Sequence, residues 1–190
     1  RMSITNAGYV GIGTTAPKSL LNVTGTGSAG GILTLENNSS SLVTGRNVGQ
    51  IDFYSNDSSS NGTGVKANIT AIAENSIGSE IGLTFGTSGT GSATAIEALR
   101  INSAGNVGIG TNNPKGKLHV LDGTAASYTP DSEGDTVVIE SSTAGGISLI
   151  GTGSGSTQKQ KLVFGTTGSP SSAVVIYDPN NSFMSVGTTA

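Results

Sequence analysis

The sequence predicts an all-β protein, elongated and built from repeated short-strand modules. Three observations predict it: a motif that recurs at a fixed offset, apolar residues that alternate with a period of two, and a composition too poor in large side chains for a self-contained core. The composition comes first, because it bounds the rest. The 190 residues include 30 Gly, 4% aromatic and 11% charged residues, with no Cys and no Trp. An average soluble domain carries about 25% charged residues and roughly 7% Gly. Leu, Ile, Val and Phe together make 43 of 190 residues. That lies near the floor of about 20% below which packing fails, but the net charge of −3 lacks the self-repulsion of a disordered chain. Ordering so many short polar residues costs more entropy than so few large apolar groups offset. Other copies of the chain are therefore expected to complete the core.

The same composition excludes several functions. Nine Lys and Arg are scattered, with no basic run and interleaved aromatics, so nucleic acid is not an expected partner. No apolar stretch approaches the roughly 20 residues that span a bilayer, so no membrane insertion is expected. The absence of Cys excludes disulfides and cysteine–zinc sites. The chain opens at Arg1 with no visible signal peptide, which reads as a segment of a longer protein.

The repeat sets the organisation. Ser3–Val23, SITNAGYVGIGTTAPKSLLNV, matches the second copy, which ends at Val120, at an offset of 97. From Met2 and Leu99 onward, 12 of 22 gapless positions are identical, including Val10-Gly11-Ile12-Gly13-Thr14 and Val107-Gly108-Ile109-Gly110-Thr111. A degenerate third copy spans Val174–Ala190. Upstream of the second and third copies, Leu83–Gly89 matches Leu162–Gly168. The chain thus divides into a first motif (1–24), a β-rich stretch (25–98), a second motif (99–121), another β-rich stretch (122–173) and the third motif (174–190).

Each element follows from alternation. Leu99 and Ile101, Val107 and Ile109, and Leu118 and Val120 are predicted to face inward. Arg100, Gly108, Lys117 and His119 fall on the outward set. Gly49–Ser55 and Ala67–Glu74 read as strands in the same way. Ser92–Arg100 has a weak helical pattern, but its match to Ser171–Tyr177 favours a strand. Thr136–Ser142 is a continuous apolar run, predicted to be buried on both faces. Ser55–Gly64 and Gly151–Thr157 are rich in turn residues.

The sequence offers few residues for chemistry. Gly108-Ile109-Gly110 lacks the third Gly and the following helix of a dinucleotide fingerprint. The bare face of its glycines is instead predicted to admit the backbone of a neighbouring chain. His119 has no nucleophile or acid beside it in sequence, and Asn22 is its equivalent, so it reads as an outward, dispensable position. Asp131–Asp135 clusters three carboxylates without the spacing of a calcium loop. Gly151–Lys161 lacks the Gly-Lys-Ser/Thr of a phosphate loop. No catalytic residue, cofactor or metal site is expected.

The motif Arg100–Thr111, with Pro114 and Lys117-Leu118-His119-Val120, resembles the repeated shaft motif of bacteriophage tail fibres. In that family it also stands upstream of a self-cleaving intramolecular chaperone domain. The stretches GQIDFYSND, VKANITAIAENS and GLTFGTSG resemble the family's inter-motif segments, so the likeness covers nearly the whole chain. Some bacterial surface proteins resemble the motif too. The resemblance implies a fibrous homotrimer, wound as an intertwined triple β-helix or a β-prism-like shaft. It would be an extracellular virion protein that holds a receptor-binding tip away from the particle. Its partners would be two further copies, other tail or baseplate proteins and a host cell-surface glycan or protein. The trimer-packing residues would be Val10, Gly11, Ile12, Gly13, Leu21, Val23, Val107, Gly108, Ile109, Gly110, Leu118 and Val120. On this reading Ile109→Asp disrupts assembly and His119→Ala does not. Two other functions fit the same pattern: a host-surface or glycan-binding adhesin module, with the loops Ser55–Gly64 and Asp122–Asp135 as its contacts and few aromatics beyond Tyr54 and Tyr128 to stack on a sugar, and a bacterial extracellular filament protein.

Overall fold

A computed structural model describes residues 1–89, 91–123, 136–143, 147, 160–166, 169–178 and 183–187. The fold is all-β, and its only helical element among the described residues is a single 3-10 turn at Gly27–Ala29. The chain forms two compact units, Arg1–Thr143 and Ala144–Ala190.

The first unit holds two sheets. The smaller contains β1 (Met2–Ile4), β2 (Val10–Ile12) and β3 (Leu21–Val23) in that order. The larger contains β4 (Asn47–Asn56), β5 (Thr63–Ala73), β6 (Ile81–Thr87), β7 (Ile96–Ile101), β8 (Val107–Ile109), β9 (Leu118–Asp122) and β10 (Val137–Ser141). Its strands pair in chain order, antiparallel from β4 to β8 and parallel from β8 to β10. The second unit holds an antiparallel sheet of β11 (Gln160–Thr166), β12 (Ser169–Asp178) and β13 (Phe183–Gly187).

The sequence repeat is a structural repeat. In both full copies a hairpin is followed by a crossover to a parallel strand. The hairpin turn is closed by Gly8 and Gly105, at φ +79° and +74°, a conformation glycine adopts without a Cβ penalty. Their amides donate to Thr5 O and Asn102 O, each at 2.9 Å. The crossovers, Gly13–Leu20 and Gly110–Lys117, are eight residues each. That is shorter than the dozen or more residues, usually helical, that most parallel connections need. The third copy keeps the hairpin: Ile176 pairs with Ser185 as Arg100 pairs with Gly108.

Register lines the large sheet's apolar residues into two rows on one face. One row runs Ala71, Leu83, Ile101, Val107, Leu118, Val137. The other runs Ile51, Ile69, Phe85, Leu99, Ile109, Val120, Ile139. Partners across a ladder share a face, so alternation in seven strands makes one apolar surface. Within the chain Leu33 and Leu35 lie against one end of this surface, beside Gly49, Ile51, Ile69, Ala71 and Leu83, but most of it is open, and Ile51, Leu83, Ile101, Ile109, Val137 and Ile139 are all exposed. The opposite face carries the buried side chains Thr70, Thr84, Arg100, His119 and Glu140.

Two sequence expectations are corrected here. Thr136–Ser142 is not covered on both faces: Val138 is buried, whereas Val137 and Ile139 point to the open face. The run looks continuous because Val138, which lies on the polar face, is itself apolar. His119 is not outward but 1% exposed, because the crossover loop and β10 close over the polar face.

Candidate functional site

The twelve residues assigned to packing divide into two groups with different surroundings. Val107, Ile109, Leu118 and Val120 lie together on the open apolar face, paired Val107 with Leu118 and Ile109 with Val120. Val10, Ile12, Leu21 and Val23 repeat this arrangement, paired Val10 with Leu21 and Ile12 with Val23. Met2 and Ile4 extend those rows on β1. Met2, Ile4, Ile12 and Leu21 are exposed, so the small sheet also presents an open apolar face.

The glycines answer to their own chain. A Cβ on Gly108 would lie 2.4 Å from Thr111 O, and one on Gly11 the same distance from Thr14 O. Gly110 and Gly13 have φ of +74° and +80°, and a Cβ on them would meet Leu121 O at 2.3 Å and Thr24 O at 2.0 Å. The backbone that closes on each bare position is therefore the crossover or the strand after it. At these four positions the close backbone is the chain's own. The physical reason is the short crossover, whose first turn folds back onto the strand it has just left.

His119 belongs to the same closure. Its Nδ1 accepts the Lys115 amide at 3.2 Å, which places the ring proton on Nε2. Nε2 lies 3.3 Å from Glu140 Oε2 without hydrogen-bond alignment, and Lys115 Nζ meets that oxygen at 2.8 Å. In the first copy Asn22 Oδ1 accepts the Lys18 amide at 3.2 Å. Asn and His thus supply one acceptor to one crossover. The signal was present in the sequence as Lys18 with Asn22 and Lys115 with His119, each pair four residues apart.

A second polar cluster joins Glu97, Arg100 and Ser103, which are near in sequence, to Glu74, which is not, and that long-range contact leaves no mark on the sequence. Arg100 meets Glu97 at 2.6 Å and Glu74 at 2.8 Å, and Glu74 accepts the Ser103 amide at 2.8 Å. Hydrogen bonding to Glu97 and Glu74 holds the guanidinium above its ordinary pKa against the opposing effect of burial. Burial opposes the charge of Glu74. The Ser103 amide and Arg100 outweigh it and hold that carboxyl below its ordinary value.

Gly108-Ile109-Gly110 leads into this crossover and not into a helix N-terminus, so it lacks the strand-to-helix geometry of a dinucleotide fingerprint. Among the described residues no group of three or more His, Cys, Asp and Glu could hold a metal, and no helix is long and apolar enough to cross a membrane. Tyr54 is exposed at the edge strand β4. Tyr128, Asp131–Asp135 and residues 151–159 and 179–182 lie outside the described residues. No protein-family model and no curated protein sequence matches the chain.

Proposed function

We propose that this chain is a structural segment of a homotrimeric phage tail-fibre shaft, which extends a receptor-binding tip for host attachment. One observation carries the reading. Among the described residues of the first unit, the only buried hydrophobic side chains beside Pro114 are Ala73 and Val138. Meanwhile one row of apolar residues crosses six strands of the open face and a second crosses all seven. A chain with so small a core does not offset the entropy of ordering its backbone. Burying each large apolar side chain in full contributes about 1.5–3 kcal/mol, so covering this face supplies the missing stabilisation. Further copies of the chain fit it best, because the small sheet repeats the same two rows. Three such faces turned toward a common axis would give a thin apolar core with the polar faces outward. The likeness of the repeated motif to tail-fibre shafts supports the trimer and the setting on a virion.

Native mass measurement of the purified chain tests the assembly, with a trimer expected and a stable folded monomer overturning it. Antibody against the chain should decorate fibres on tailed particles that carry it. Labelling of a capsid or of a bacterial surface filament would overturn the setting.

A further inference from the structure

The two full copies of the module differ in what covers them. In the second, β10 adds to β9 as a parallel strand, with Val137 opposite Leu118 and Glu140 opposite Leu121. Glu140 reaches Lys115 of the crossover at 2.8 Å, and His119 and Pro114 are buried beneath. In the first copy the outer edge of β3 has no strand on it among the described residues. Lys18 is exposed, and Asn22 and Pro17 are only half-buried.

The missing strand is present in the sequence. Leu33-Thr34-Leu35-Glu36-Asn37 follows β3 as Val137-Val138-Ile139-Glu140-Ser141 follows β9. Both carry the same apolar alternation and the same Glu. Both also end in the same local turn: the Ser39 amide donates to Asn37 Oδ1 at 3.0 Å, and the Thr143 amide donates to Ser141 Oγ at 3.3 Å. Yet among the described residues no backbone group of Leu33–Asn37 takes part in a backbone hydrogen bond. Leu33 and Leu35 remain exposed, and among the described residues neither Lys18 nor Glu36 makes an ion pair.

The segment's own path explains why it does not pair at home. Only nine residues, Thr24–Ile32, separate it from β3, against fourteen, Gly123–Thr136, between β9 and β10. Gly31 sits against Val23 O, where a Cβ would lie 2.3 Å away, so the chain lingers at the end of β3. It then passes Gly49 of β4, whose Cβ would be 2.9 Å from that of Leu35. A parallel strand must return to the level of Leu21, and this one moves away from it.

We propose that the β3 edge takes Leu33–Asn37 from a neighbouring copy, in the register that β10 takes on β9. The proposal rests on the homotrimeric reading and names the contact between copies. Leu33 then stands opposite Leu21, Leu35 opposite Val23 and Glu36 opposite Thr24, and Glu36 meets the neighbour's Lys18. Strand addition of this kind satisfies two unpaired edges at once and hides a segment otherwise open to stray pairing.

The chain has no Cys, so a Thr24→Cys and Glu36→Cys double variant reports the contact directly with a short thiol crosslinker. Covalent dimers and trimers on a denaturing gel are the expected result. A crosslink within one chain, or none, overturns the exchange. Native mass of the uncrosslinked wild type separates this failure from that of the trimer, since a trimer without interchain crosslinks leaves the proposed function standing and a monomer removes both. A second arm reverses charges. Glu36→Lys should lower trimer melting, and adding Lys18→Glu should restore it. Equal melting for all three proteins would also overturn the proposal.

Discussion

Asn22 and His119 occupy one position in two copies of a module and accept the same backbone amide, from Lys18 and Lys115. The requirement at that position is an acceptor at the right reach, and either side chain meets it. His119 is the more committed of the two, because it is buried and leaves a cavity if removed. His119→Ala, expected to leave assembly intact, should therefore still weaken the fold of the chain itself. That variant loses the acceptor and the ring's packing, and the cost expected is about 2–3 kcal/mol. His119→Asn keeps the acceptor found in the first copy and should cost less than half as much. Urea unfolding of both variants checks this, and equal losses would show that packing alone matters at the site.

At the scale of elements, the strands from Gly49 to Val120 were legible because their apolar residues alternate, and alternation survives whatever covers a face. The side that would be open was not legible. Arg100 and His119 alternate with Leu99, Ile101, Leu118 and Val120, and a polar set ordinarily faces water. Here each is held partly by a near residue, Glu97 for Arg100 and Lys115 for His119, and partly by a strand far off in sequence that brings Glu74 to Arg100 and Glu140 beside His119; spacing carries no trace of the far contacts. The glycines were legible as close-approach positions, but which backbone approaches depends on the eight-residue crossover. The Arg100 cluster has a pH signature. Glu74 has its pKa below the ordinary value in the folded chain, so the stability it contributes is present above that ordinary value and is lost as pH falls through the depressed one. Glu74→Gln should cost on the order of 2 kcal/mol at neutral pH, where Arg100 and the Ser103 amide lose a charged acceptor. The gap between variant and wild type should close as the pH drops below the usual glutamate range. A gap independent of pH would show that the ionised carboxylate is not what holds the β5 end to β7.

For the whole molecule, the decisive separation is between the fold of one chain and its assembly. Ile109 sits in the interior of the second apolar row, between Leu99 and Val120, and is 40% exposed in the single chain. Its side chain therefore contributes little to the chain's own core. If copies meet across this face, the same position becomes fully desolvated at their contact. An Asp there would bury an unpaired charge in each of three chains, a penalty of several kcal/mol per site that no neighbouring cation on the face offsets. Ile109→Asp should leave the β-rich circular dichroism of dilute chains largely intact and abolish the trimer in sedimentation. Ile109→Val, which trims one methylene from each chain, should keep the trimer and lower its melting point modestly. Met2, at the outer margin of the small sheet, is 66% exposed and serves as the contrast. Met2→Asp should weaken assembly less than Ile109→Asp, since an edge position can turn its charge to water. If both Asp variants sediment as the wild type does, the apolar rows are not where the copies meet, and the open face needs a different partner.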